Sequence, residues 1–178
     1  TALRIYVAFA TKGGFIMNKV SSILPYTDVL HSCALFAHID QEQLLSLLDC
    51  LGAKSKAFKK DTFIFRVGDA AKKVGIVIEG AAHVIQEDFW GNRTILTHVG
   101  PGDLFAEAFS SAGVQSLPVS VITTEPAQIM LIDYQKIIST CPSTCTFHAQ
   151  LISNMLQILA RKNITLTRKM EYLSQRST

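Results

Sequence analysis

Glu107 is the one carboxylate in an apolar run, Leu104-Phe105-Ala106-Glu107-Ala108-Phe109. An ionised carboxyl is costly to bury unless it is hydrogen-bonded. A Glu here therefore needs a donor: a ligand hydroxyl, a backbone amide or a neighbouring base. The run belongs to a longer stretch, 100–121, that opens on Gly100-Pro101-Gly102, passes through small residues around Gly113 and closes on Val119-Ser120-Val121. A compact loop set between strands can aim several backbone N–H groups and one carboxylate at a ligand, and a plain connection is the alternative.

The other chemistry-bearing residues are more scattered. A metal-dependent cupin needs two or three His and a carboxylate on one metal, usually starting from a His-x-His strand. The five histidines are His31, His38, His83, His98 and His148, with no two close in sequence. His83 and His98 fall on separate strand-like segments and are expected to face each other across the fold, most simply as ordinary strand residues. A haem sensor would need an axial His or Cys on a pocket rim. The four cysteines, Cys33, Cys50, Cys141 and Cys145, form no C-x-x-C and have no zinc-ribbon spacing. Reduced cytosolic thiols are expected, with a redox pair at Cys141 and Cys145 as the alternative. No Ser/His/Asp arrangement, P-loop or zincin motif occurs. The residues point to a binding module rather than an enzyme, with no metal or cofactor required.

These residues must be positioned by a chain of 178 residues, enough for one domain plus a long element. With 48% apolar and 17% charged residues it does not resemble a disordered tail, and a net charge of +3 does not demand a polyanion. No run of ~20 apolar residues suggests a membrane span. Residues 1–16 fit a signal peptide poorly, and Met17 looks like a natural start.

From Tyr26 to Leu51 the pattern is helical. Asp40 is the expected N-cap, Gln43 completes a capping box and Gly52 stops the helix. From Ala53 to Ile132 the period is two. Strands are expected near Ser55–Phe58, Thr62–Arg66, Gly75–Glu79, Ala82–Glu87, Arg93–His98, Val119–Thr123 and Gln128–Ile132, with Gly and Pro turns between them. Spacing of this kind suggests an antiparallel barrel or sandwich. Asp133 caps a short helix through Thr140. A long helix follows Pro142, with Ile152, Leu159, Leu166 and Leu173 on d and Leu156, Asn163 and Met170 on a. Leu151, Met155 and Ile158 add a second stripe early in that helix, for packing on the rest of the fold.

The combination of F-I-F-R-V-G-D, the hairpin F-W-G-N-R-T-I-L and P-G-D-L-F-A-E-A-F resembles the cyclic-nucleotide-binding domain of bacterial Crp/Fnr-type regulators, from about Leu35 to Thr178. The resemblance implies an α+β fold: an antiparallel, jelly-roll-like β-roll with short N-terminal helices and a long C-terminal dimerisation helix. It divides the chain into an extension (1–20), a sensory roll (21–142) and a coiled-coil helix (143–178), without the family's helix-turn-helix. The clustered N-terminal cysteines that hold an iron–sulfur cluster in some members are absent. Glu107 matches the Glu that holds the ribose hydroxyl.

The departures fall on the phosphate. Ala106 stands where the family has Gly, and Leu117-Pro118-Val119 where it has Arg-Ser-Ala. The implied ligand site comprises Phe105, Ala106, Glu107, Ala108, Phe109, Leu117, Pro118, Val119, Ser120, Leu166 and Thr167. An unidentified small effector is expected, neither cyclic AMP nor cyclic GMP. The implied assembly is a homodimer through Ile152, Leu156, Leu159, Asn163, Leu166, Met170 and Leu173, with DNA bound only through the absent domain. A stand-alone ligand-binding or dimerisation module without DNA binding is the alternative, and a cupin-like metal enzyme the third reading.

Overall fold

The computed structural model describes residues 24–139 and 147–175. The expected extension 1–20 and both Cys141 and Cys145 lie outside the described residues, as do the joint near 142 and the last three residues. The helical pattern of Tyr26–Leu51 resolves into several short pieces. A 3₁₀ turn (Leu24–Tyr26) leads into α1 (Thr27–Ser32), a second 3₁₀ turn (Ala34–Phe36) and α2 (Gln41–Cys50). Asp40 holds the N-cap position of α2, but its side chain makes no cap bond; its backbone carbonyl accepts from the Gln43 and Leu44 amides instead. The expected capping box is therefore not formed. The far end stops as expected. Gly52, at φ 58°, lets the Ala53 amide reach the Leu48 carbonyl and its own amide reach that of Asp49, the paired bonds of a Schellman cap.

Among the described residues eight strands follow, in two four-stranded antiparallel sheets. One sheet has the order β1 (Lys54–Phe58), β8 (Ala127–Asp133), β3 (Lys73–Glu79), β6 (Leu104–Phe105). The other has the order β2 (Phe63–Phe65), β7 (Ser120–Thr123), β4 (Ala82–Glu87), β5 (Arg93–Val99). Seven strands lie where the period of two put them. The eighth, β6, is too short to show a period and was not foreseen. Two short helices, α3 (Glu107–Ser111) and α4 (Tyr134–Ile138), flank the last strands, and α5 (Phe147–Gln175) completes the described chain. Asp133 caps α4 through a 3.0 Å bond from the Gln135 amide, and the helix ends at Ile138 rather than Thr140.

Strand β3 explains the layering. Val74, Ile76 and Ile78 pack with α1, α2 and the first turns of α5, whereas Val77 joins the interior between the sheets. A strand covered on both faces reads as a continuous apolar run, which Val74–Ile78 is. The interior holds Phe58, Phe65, Val84, Val99, Phe105 and Leu117, among others. Gly75 is fixed by this packing: a Cβ there would stand 2.1 Å from the Phe105 ring. The stripe Leu151, Met155 and Ile158 is buried against the helical side of the first sheet, as its period implied. Cys33 is buried in the same cluster, and burial pushes its thiol up to about 12.

The β4–β5 hairpin is tied at its tip by Asp88, whose carboxylate accepts from the Trp90 amide, the Asn92 amide and the Asn92 side chain. That side-chain bond, with the backbone amides behind it, holds the Asp88 carboxyl below its ordinary value. The turn presents Phe89 and Trp90 to the outside, 97% and 82% exposed.

Candidate ligand site and helix contact

Gly100-Pro101-Gly102-Asp103 is a tight turn closed by the Asp103 amide on the Gly100 carbonyl at 3.0 Å. Pro at the second position and Gly102 at φ 84° are the residues such a type II turn requires. The Asp103 carboxylate accepts from the Gly100 amide, and the Gly102 amide bonds to Val77. The turn is thus anchored to β3 and launches β6 alongside it. Ala106 follows in the left-handed region at φ 65° and turns the chain into α3. Glu107, the first residue of that helix, points into the body of the protein.

Its partner is Lys162. The ammonium donates to Glu107 Oε1 at 2.6 Å and to the Leu104 carbonyl at 3.1 Å. The two side chains differ in burial, 4% exposed for Glu107 and 48% for Lys162. The carboxylate that needed a donor therefore finds a charge-assisted one on the long helix. Lys162 was not singled out from the sequence. The signal was present, because Lys162 lies four residues after Ile158 and seven after Met155, on the continuation of the docking stripe.

The exit of the loop is held by backbone. The Leu117 amide donates to the Asp69 carbonyl and its carbonyl accepts from Gly68, at 2.8 and 2.9 Å. The turn of F-I-F-R-V-G-D, with Gly68 at φ 91°, serves as the docking edge for this segment. Leu117 is 2% exposed and packs in the interior cluster that includes Phe65, Phe105 and Val119. Phe65 and Phe105 meet edge to face, ring centroids 5.8 Å apart. Ser120 is buried, and its hydroxyl accepts from the Val67 amide at 3.0 Å.

Of the expected site residues, Phe105, Glu107, Leu117, Val119 and Ser120 are buried, and Ala106 and Phe109 are half-buried beside the interior. Ala108 and Pro118 face outward. Leu166 and Thr167 stand exposed on α5 rather than over the roll. The helix residues nearest the cassette are Ile158 and Lys162, a turn or more earlier. They border a cleft of about 230 Å³ whose other walls include Ala34, Thr97, Val99 and Asp103. Asn154 was also not foreseen. It is buried, and its amide donates to the Leu35 and Ala37 carbonyls at 2.9 and 2.8 Å, tying α5 to the second 3₁₀ turn.

A two-sheet roll with a buried carboxylate in a loop-and-helix cassette, closed by a docked helix, defines a known class. The cyclic nucleotide-binding domain family matches residues 55–143, half of the chain, and the chain belongs to that family. Among solved structures it is similar to the catabolite activator protein of Thermus thermophilus (TM-score 0.66, 19% identity, covering 79% of this chain and 63% of that one). It is also similar to the sensor domain of the transcriptional regulator DNR from Pseudomonas aeruginosa (0.63, 19%, 82% and 91%). A third is the regulatory subunit of a cAMP-independent protein kinase A from Trypanosoma brucei (0.61, 17%, 84% and 48%). The chain spans less than two thirds of the Thermus protein. Among curated proteins no relative matches the sequence. Among the described residues no helix is long and apolar enough to cross a membrane.

Proposed function

We propose that the chain is the effector-sensing and dimerisation region of a Crp/Fnr-type transcription regulator, in which a small ligand sets how α5 is held against the roll. The observation that carries this reading is the Glu107–Lys162 bond. It joins the cassette carboxylate to the long helix, so a ligand taking up Glu107 must displace Lys162 or bridge to it. Either event changes the free energy of helix docking, which is what a two-state coupling needs. In this reading a second copy covers the exposed side of α5, and DNA is bound by a separate helix-turn-helix domain of the full protein.

The effector is neither cyclic AMP nor cyclic GMP. A cyclic phosphate needs a buried cation, and the position the family gives to Arg is occupied here by Leu117, packed among aromatic and aliphatic side chains. Pro118 supplies no backbone N–H. Removing one partner of a buried charge pair costs ~2–5 kcal/mol, about thirty- to several-thousand-fold in affinity. The fold does not oblige a chain to respond to cyclic AMP, as the cAMP-independent kinase subunit illustrates. A largely apolar molecule carrying one hydrogen-bonding group for Glu107 suits the site. Calorimetry with both nucleotides is expected to give dissociation constants weaker than about ten micromolar (~−7 kcal/mol). A tighter value for either would overturn this assignment.

A further inference from the structure

His83 and His98 are directly opposed partners on β4 and β5. They lie on the outer face of the second sheet, since their neighbours Ala82, Val84 and Val99 are buried in the interior. His83 is half-buried and His98 exposed. They therefore face each other across adjacent strands rather than across the roll. Just beyond them the ladder slips: Val84 pairs with Thr97 but Ile85 with Ile95, leaving Leu96 as a bulge. The ring centroids are 5.3 Å apart.

That separation is the one a shared metal ion needs. With a metal–nitrogen bond of about 2.0–2.1 Å and each ring centre about 1.2 Å behind its nitrogen, a tetrahedral angle puts two imidazole centroids roughly 5.3 Å apart. We propose that His83 and His98 form a two-point binding site for a first-row transition cation, Zn²⁺, Ni²⁺ or Cu²⁺, for which imidazole is a suitable ligand. The rings now meet edge to face at 68°. The exposed His98 ring has room to turn about χ2 and present a nitrogen towards His83. Strand pairing already holds the two Cα atoms, so little backbone order remains to be imposed. Lys162, which borders the same cleft as His98, has its charge compensated by Glu107. Among the described residues no group of three or more His, Cys, Asp or Glu is placed to hold a metal. The remaining coordination positions are therefore left to water, and affinity is moderate. The site rests on strand register and ring spacing and requires no effector.

Titration of the whole chain with Zn²⁺ by calorimetry, and with Ni²⁺ by NMR of the imidazole protons, tests the proposal. Binding is expected with a dissociation constant of roughly micromolar to a hundred micromolar, about half the binding free energy of a four-ligand zinc site. Ni²⁺ should broaden the His83 and His98 signals before those of His31 and His38. His83→Ala or His98→Ala should weaken binding at least about tenfold. His98→Ala alters only an exposed side chain, so its metal-free melting temperature should stay at the parent value. Unbroadened His83 and His98 signals at about millimolar metal, or undiminished affinity in the His83→Ala/His98→Ala double variant, would overturn it.

Discussion

Ala106 sits at φ 65°, where its methyl group crowds the backbone, yet the chain must make this turn to bring Glu107 inward. Glycine carries no such penalty, so Ala106→Gly should stabilise the fold by about 1 kcal/mol, read as a higher urea midpoint at unchanged slope. Lys162→Met removes the ammonium and leaves Glu107 buried with its charge unmatched. A loss of about 1–3 kcal/mol is expected, less than for a fully buried pair because Lys162 is half in water. Glu107→Gln added to Lys162→Met should recover part of that loss, and strict additivity in the cycle would show that the two do not interact. Glu107 could be singled out from sequence because a lone carboxylate in an apolar run demands a partner. The identity of that partner could not, because it comes from a helix 55 residues further along the chain.

At the level of elements, α5 is anchored by a polar bolt as well as an apolar stripe. The buried Asn154 amide donates to the Leu35 carbonyl of a 3₁₀ turn and to the Ala37 carbonyl just after it. Asn154→Ala should therefore cost about 2–3 kcal/mol, more than its small side-chain volume suggests, and thermal unfolding measures it. The long strands could be read from alternation and turn residues, within a residue or two at most ends. Short elements behaved differently. Residues Leu104–Phe105 and Glu107–Ser111 are too few to display a period, and their conformation is set by Gly102, Ala106 and the packing of Phe105 beneath Gly75. The failed capping box at Asp40 has a similar cause: backbone bonds to Gln43 and Leu44 form without help from the carboxylate.

At the scale of the whole molecule, the two faces of α5 are treated unequally. Leu151, Met155 and Ile158 are covered, whereas Leu156, Leu166, Met170 and Leu173 are more than half exposed. Ile152 and Leu159 are intermediate, with Leu159 already packed partly on its own domain. In the proposed parallel homodimer Asn163 faces its symmetry mate and fixes the register. Sedimentation should find a dimer at micromolar concentration. Leu166→Glu with Met170→Glu should give a folded monomer, and Asn163→Leu should tighten association or relax its specificity. A monomer of the parent chain at high micromolar concentration would exclude the arrangement. Both stripes were visible as periodicity. Which one meets the chain's own roll is a property of three-dimensional packing, and period alone does not decide it.

The helix is gripped by Asn154 and Lys162, and from Lys162 to Gln175 every residue of it is exposed. At 1.5 Å per residue that exposed arm is about 20 Å long. In the proposed reading it would act as a lever held at Asn154 and released at the Glu107 contact. A tilt of about 10° would carry the far end sideways by about 3–4 Å over that length. A change too small to alter the roll would thus arrive at the tip as a displacement comparable to the width of a side chain.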